Sequence, residues 1–191
     1  MHHFFAYLSR MRYINRWNIM RNTYQENIQE HSLQVAMIAQ ALCKIKNKYY
    51  GGRLDEKRVL ELAVYHEAAE VITGDLATPI KYFNPEIKDA YKQVEVVASK
   101  KLLKLLPEDL RPDYTQLLLP DEDTPEWAIV KAADKLSAYI KCLEELKMSN
   151  MEFEKAKESI ECGLKALNSP EVDYFMEHFI PSFLLTLDEL N

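Results

Sequence analysis

The sequence predicts an all-α protein, a single-domain helical bundle spanning residues 1–191, and three observations carry that expectation. Only 4 residues are glycine, while Leu, Ala, Glu and Lys, which lose little freedom on entering a helix, are abundant. Alternating β-branched runs are few, and apolar residues recur instead at spacings of three and four. One start signal also appears three times: Asn84-Pro85-Glu86, Thr124-Pro125-Glu126 and Ser169-Pro170-Glu171. In each, the first side chain can accept an orphan backbone N–H, proline suits the first helical position, and Glu favours the positive end of the helix dipole. No composition break divides the chain, and its length suffices for one sizeable core.

Taken in order, periodicity predicts a helix over residues 3–13 and a second over 28–47, where Val35, Ile38, Leu42 and Ile45 form one face. A third runs over 55–73, with Asp55 as a possible cap. The stretch GDLATPIKYFN, 74–84, reads as an irregular loop, and loops beside a rigid site are where substrate contacts usually lie. Helices follow from the three capped starts and over 151–167, and Pro181 should kink or end the last one, 170–190.

Charge and cysteine usage narrow the function classes. A net charge of -6 argues against gripping long nucleic acid, which depends on many Lys and Arg contacts to phosphates, although one local Arg can still hold a single small anion. Cys43, Cys142 and Cys162 form an odd set without a CxxC pair, which fits reduced thiols of a cytoplasmic protein. No apolar run is long enough for a membrane span, and the N-terminus MHHFFAYLSRMR lacks a signal-peptide apolar region, so a soluble chain is expected.

Among five histidines, His31 and His66 lie on helices that also turn carboxylates toward the apolar side. Imidazole nitrogens and carboxylate oxygens together suit a divalent cation, so His31, His66, Glu67 and Asp134 form a candidate metal set. By itself His31 also fits a core histidine bonded to a neighbour. In ELAVYHEAAEVITGD, positions 66 and 70 share a face while Glu67 is turned by about 100°. The acids Glu67, Glu70 and Asp75 beside an apolar helix suggest a cation, since burying an uncompensated carboxylate is costly; a solvated acidic face is the alternative. HEAAE is not the zinc-binding HExxH, because Glu stands where the second His belongs. Asp134 falls on an apolar seam between Val130 and Ala138, yet Lys131 and Lys135 could instead hold it at the surface. Arg16-Trp17 joins a planar anion fork to a large aromatic that could wall off a sugar or base; a surface Arg beside a core Trp is the plainer reading.

These residues resemble the H…HD…D signature of HD-domain phosphohydrolases. The longer segments INRWNIMRN, ENIQEHSLQVAMIAQAL, YHEAAEVITGDLATPIKYFN, KAADKLSAYIKCLEEL and DYFMEHFIPSF resemble the bacterial HD-domain 5'-deoxynucleotidases along nearly the whole chain. The resemblance implies a helical bundle of the HD-domain type and a metal-dependent phosphomonoesterase that hydrolyses deoxyribonucleoside 5'-monophosphates. It implies one divalent cation, cobalt, manganese, zinc or similar, on His31, His66, Glu67 and Asp134, with His31 and Asp134 also facing substrate. Glu70 would act on the attacking water or leaving oxygen, Arg16 would orient the 5'-phosphate, and Trp17 would crowd the place of a 2'-hydroxyl. Asp75, Leu76, Ala77 and Thr78 would line the nucleoside side, with Asp75 near the 3'-hydroxyl. The implied assembly is a homodimer. One departure stands out: the family doublet is His-Asp and this chain has His66-Glu67, whose extra methylene is expected to detune the cation site. Rival expectations are a degenerate domain that binds nucleotides as a sensor and a hydrolase of another nucleotide phosphoester.

Overall fold

The computed structural model describes residues 1–81 and 83–191; Tyr82, within the expected 74–84 loop, lies outside the described residues. The chain opens with α1 (Phe4–Leu8), which tightens at Ser9–Tyr13 into a 3-10 turn where one continuous helix over 3–13 is expected. An irregular stretch then leads to α2 (Ile28–Tyr49), whose N-terminus carries a capping box: the Asn27 side chain accepts from Gln29 and Glu30 N–H, and Glu30 answers to the Asn27 N–H. Three N–H donors at the helix start are satisfied, and His31 is held one turn into the helix.

The expected helix over 55–73 is interrupted. After the Asp55 cap, α3 (Glu56–Tyr65) stops at the turn His66–Ala69, and α4 (Glu70–Thr73) follows. A side chain accounts for the break. The His66 ring donates from Nδ1 to Ala63 O at 2.7 Å, taking the carbonyl that the Glu67 N–H would bond in a continuing α-helix, and the turn closes instead through Ala68 N–H to Tyr65 O and Glu70 N–H to Glu67 O. Gly74 at φ +73 ends α4, a left-handed conformation in which any Cβ is strained. The predicted irregular loop then holds one short helix, α5 (Thr78–Lys81).

Of the three Pro-Glu starts, Asn84 caps α6 (Pro85–Leu103) and Thr124 caps α8 (Pro125–Lys147), whereas Ser169 makes no capping bond at α10 (Pro170–His178). Between them lies α7 (Arg111–Leu118), which periodicity alone does not predict. Pro112 there sits in the first turn, where its missing N–H costs nothing. A 3-10 turn at Met151–Phe153 precedes α9 (Glu154–Lys165), so the 151–167 segment starts tighter than expected. Past His178 the last segment becomes a 3-10 turn over Ile180–Leu184, so Pro181 lies beyond the helix it was expected to end.

The core forms where α2, α3 and α8 meet. Val35, Ala39 and Leu42 pack with Val59, Leu62 and Ala63 and with Val130, Ala133, Leu136 and Ile140, all within 1% of full burial. At about 1.5–3 kcal/mol for each large aliphatic side chain taken from water, this face fixes how the three helices meet. A second cluster joins Phe4, Leu102, Leu106 and Leu118 and includes Ala68. The His66–Ala69 turn is thus clamped between two apolar clusters, with Ala63 in one and Ala68 in the other. Among the described residues no helix is long and apolar enough to cross a membrane.

Candidate metal and phosphate site

Packing of α2, α3 and α8 brings together residues that are tens of positions apart. One ligand atom each from His31, His66, Glu67 and Asp134 lies within 4.8 Å of the others. His31 is fully buried on α2, and its Nε2 stands 3.1 Å from Asp134 Oδ1 and 3.8 Å from Glu67 Oε1. His66 Nε2 is 3.5 Å from Glu67 Oε1. A carbonyl only accepts, so the bond to Ala63 O fixes the His66 proton on Nδ1 and leaves the Nε2 lone pair facing the cluster. Among the described residues that atom is buried without a hydrogen-bond partner, as are Glu67 Oε2 and Glu70 Oε2. Unsatisfied buried acceptors in a set of two imidazoles and two carboxylates fit a divalent cation. Glu67 reaches the cluster despite replacing the expected Asp.

Both readings of Asp134 are realised. Oδ1 turns to His31 while Oδ2 accepts from Lys131 at 2.7 Å. Arg16 is no surface residue either: its side chain is 12% exposed, and Nη1 donates to Glu26 Oε2 at 2.8 Å and lies 2.8 Å from His31 Nδ1. The stretch bearing it is pinned by an antiparallel bridge between Asn15 and Asn27, with Arg16 N–H donating to Glu26 O and Ile28 N–H to Ile14 O. Trp17 follows at φ +57, with its ring tilted on Phe153 at 5.3 Å between centroids and its buried indole Nε1 without a hydrogen-bond partner among the described residues.

Electrostatics separate the acids into two kinds. Burial opposes ionisation of Glu67, but His31, His66 and Arg16 outweigh it and hold its carboxyl at about 2. Asp134 is likewise held well below the ordinary range against burial, by Lys131 and His31. Glu70 moves the other way: burial, the charges of Glu67 and Asp75, and a hydrogen bond to Glu67 raise it well above the usual carboxylate range. Burial also lowers His66 to about 4, so it is neutral and ligand-ready at neutral pH. For Arg16, burial is outweighed by Glu67, Glu26 and Asp134, which raise its pKa further and keep it charged.

The segment expected to line a nucleoside, residues 75–78, is less buried than the cluster's histidines. Asp75 is close enough to act on Glu70, and its backbone carbonyl accepts from Asn18 Nδ2 at 3.0 Å. Leu76 and Ala77 are half-buried and Thr78 is exposed at the start of α5. Among the described residues, those three make no hydrogen bond or ion pair to the four-residue cluster. Sequence reasoning overlooked Glu26, which is 6% exposed and holds Arg16, and Ser137, whose Oγ is 3.0 Å from His31 Nδ1 and donates to Gln34 Oε1. A signal for Ser137 was present: it follows Asp134 by three on α8 and continues a polar stripe along an apolar helix.

Comparison with known proteins identifies the family. A family model described as "5'-deoxynucleotidase YfbR-like" matches residues 3–183. Proteins named 5'-deoxynucleotidase from Vibrio cholerae and Yersinia pestis are 53% and 54% identical, over 99% and 100% of this chain and 98% of each relative. Among solved structures, an HD-domain phosphohydrolase from Listeria innocua superposes with a TM-score of 0.85 at 24% identity, covering 96% of this chain and 89% of that one, which establishes the fold. The chain belongs to the YfbR-like 5'-deoxynucleotidase family.

Proposed function

We propose that this chain, as one domain over 1–191, is a metal-dependent phosphomonoesterase that releases phosphate from deoxyribonucleoside 5'-monophosphates. The observation that carries the reading is the juxtaposition of a four-donor cation set with the buried Arg16 guanidinium, 2.8 Å from one of its histidines. The names of its close relatives support the substrate class. His31, His66, Glu67 and Asp134 would hold the ion. A bound divalent cation lowers the pKa of water and neutralises charge on phosphoryl oxygens.

The remaining steps belong to the protein. Arg16 receives the 5'-phosphate through its forked N–H groups and orients its equatorial oxygens. Glu70, its carboxyl raised well above the usual range by burial and its acidic neighbours, supplies a proton to the 5'-oxygen as water attacks phosphorus and the P–O bond breaks, and the proton released by that water returns to the carboxylate through solvent. Trp17 occupies the place of a 2'-hydroxyl, Asp75 meets the 3'-hydroxyl, and Leu76, Ala77 and Thr78 border the nucleoside. The three free cysteines suit a cytoplasmic enzyme, and a homodimer is the working assembly.

Phosphate release from dAMP, AMP and dATP is the test, with zinc, manganese or cobalt added and after chelation. Metal-dependent release from dAMP in clear excess over AMP and dATP supports the reading. Binding without turnover would favour a nucleotide sensor, and preference for dATP a different phosphoester.

A further inference from the structure

On α8 the polar residues Asp134, Ser137, Lys141 and Glu145 follow at spacings of three, four and four, so one stripe runs from the metal cluster to the helix end. Its last two members are 2% and 1% exposed and form an ion pair. Glu145 then acts as a hub. Its Oε2 accepts from Thr23 N–H at 2.9 Å, Thr23 Oγ1 at 2.7 Å and Asn150 Nδ2 at 2.8 Å, while Oε1 accepts from Lys141 Nζ and, more distantly, from Tyr24 N–H. Asn150 also donates to Arg21 O, and Lys141 donates to Tyr24 O.

All these bonds converge on residues 21–24, the return limb of the stretch that carries Arg16 and Trp17. That stretch is under strain at one point. Trp17 holds φ +57, a conformation that is unfavourable for a bulky residue and persists only where the surroundings enforce it. The enforcement is visible: Trp17 O accepts from Met20 N–H and from Asn22 Nδ2, the return limb is tied to Glu145, and the indole rests on fully buried Phe153. Phe153 in turn lies under Lys141, whose Nζ is 5.9 Å from its ring centroid.

We propose that Glu145, with Lys141, Asn150 and Phe153, is a positioning centre that fixes the Trp17 indole and thereby sets the discrimination between deoxyribose and ribose. The inference rests on the sugar-wall role given to Trp17 above. Glu145 is 1% exposed, and its bonds go to the loop. It acts through the loop.

Two readouts in two variants decide it. Trp17 emission is isolated in a Trp127→Phe background, since the chain has 2 tryptophans, and its quenching by acrylamide is measured in Glu145→Gln and Asn150→Ala. Glu145→Gln leaves the Lys141 charge buried without its partner, whereas Asn150→Ala keeps the ion pair, so a folding loss confined to the first leaves the second to answer. Both variants are expected to expose Trp17 to quencher and to lower the dAMP-to-AMP ratio of kcat/KM roughly tenfold, about 1.4 kcal/mol of lost discrimination. The change should come from better use of AMP. Parallel losses on both nucleotides, or greater quenching with an unchanged ratio, would overturn the selectivity role; unchanged quenching in both variants would overturn the positioning role. A parent protein that releases no phosphate from dAMP defeats the proposed activity, while the quenching comparison still decides whether Glu145 positions Trp17.

Discussion

Nη1 of Arg16 lies 2.8 Å from Nδ1 of His31, and because a guanidinium only donates, that nitrogen is an acceptor and the ring proton sits on Nε2, facing Asp134 Oδ1 at 3.1 Å. Ligation of a cation through Nε2 is incompatible with that proton. A neutral His31 must then carry it on Nδ1, where Ser137 Oγ at 3.0 Å can accept it because its own hydroxyl proton goes to Gln34. Zinc addition should therefore switch His31 from the Nε2–H to the Nδ1–H tautomer and free Arg16 for phosphate. Imidazole 15N NMR during a zinc titration checks this. Persistence of the Nε2–H form at saturation would remove His31 Nε2 from the ligand set.

Glu70 is expected to stabilise function at the expense of the metal-free fold. Its folded pKa is raised by burial and by Glu67 and Asp75, so its contribution to stability is fully present below the unfolded value of about 4.5 and is lost as pH rises through the folded one. Glu70→Gln removes the ionisation. The metal-free variant should melt higher than the parent at pH 8, with the gain vanishing near pH 4, while turnover falls on the order of a hundredfold or more. Equal melting points at pH 8 would show that Glu70 ionises there without penalty.

His66 makes the metal-free protein sensitive to mild acid. Its folded pKa near 4 lies below the unfolded value of about 6.5, so the unfolded chain binds the extra proton first and stability drops as pH falls from about 6.5 to 4. The full drop is on the order of 3 kcal/mol, since the side chain is 1% exposed. His66→Asn should flatten that part of the profile. Urea unfolding across this range, with chelator present, measures it.

Arg16 and Trp17 are adjacent in sequence and should separate in phenotype. Arg16→Ala is expected to weaken dAMP and AMP alike, because a phosphate contact is common to both, whereas Trp17→Ala should favour AMP selectively. The ratio of kcat/KM in each variant distinguishes them. An unchanged ratio in Trp17→Ala would rule out a steric gate.

Glu67→Asp should weaken cation binding, contrary to what comparison with the His-Asp doublet suggests. The Glu67 carboxylate already reaches within 3.5 Å of His66 Nε2 and 3.8 Å of His31 Nε2, on a turn held by Ala63 and Ala68 in two separate apolar clusters. Removing one methylene withdraws the oxygen by about 1.5 Å, and a clamped turn cannot follow. Calorimetric zinc titration of both forms checks this; tighter binding by the Asp variant would mean that the glutamate detunes the site.

What the sequence determined by itself was local. The caps at Asn84 and Thr124, the Pro-led starts and the face of Val35, Ile38, Leu42 and Ile45 were legible because a helix end or stripe depends on residues within a few positions of one another. The long segments also sufficed to place the chain in its family, and the donor types were visible as types. Only the tertiary structure decided which of them meet. His31 and Asp134 are 103 positions apart and meet at 3.1 Å because apolar faces of α2 and α8 pack beneath them. It also decided what local pattern could not: the helix over 55–73 breaks because a side chain of His66 takes a backbone carbonyl, and Arg16 is buried because Glu26 and His31 receive it. In both cases a side chain's partner is chosen by three-dimensional proximity, to which helical periodicity is blind.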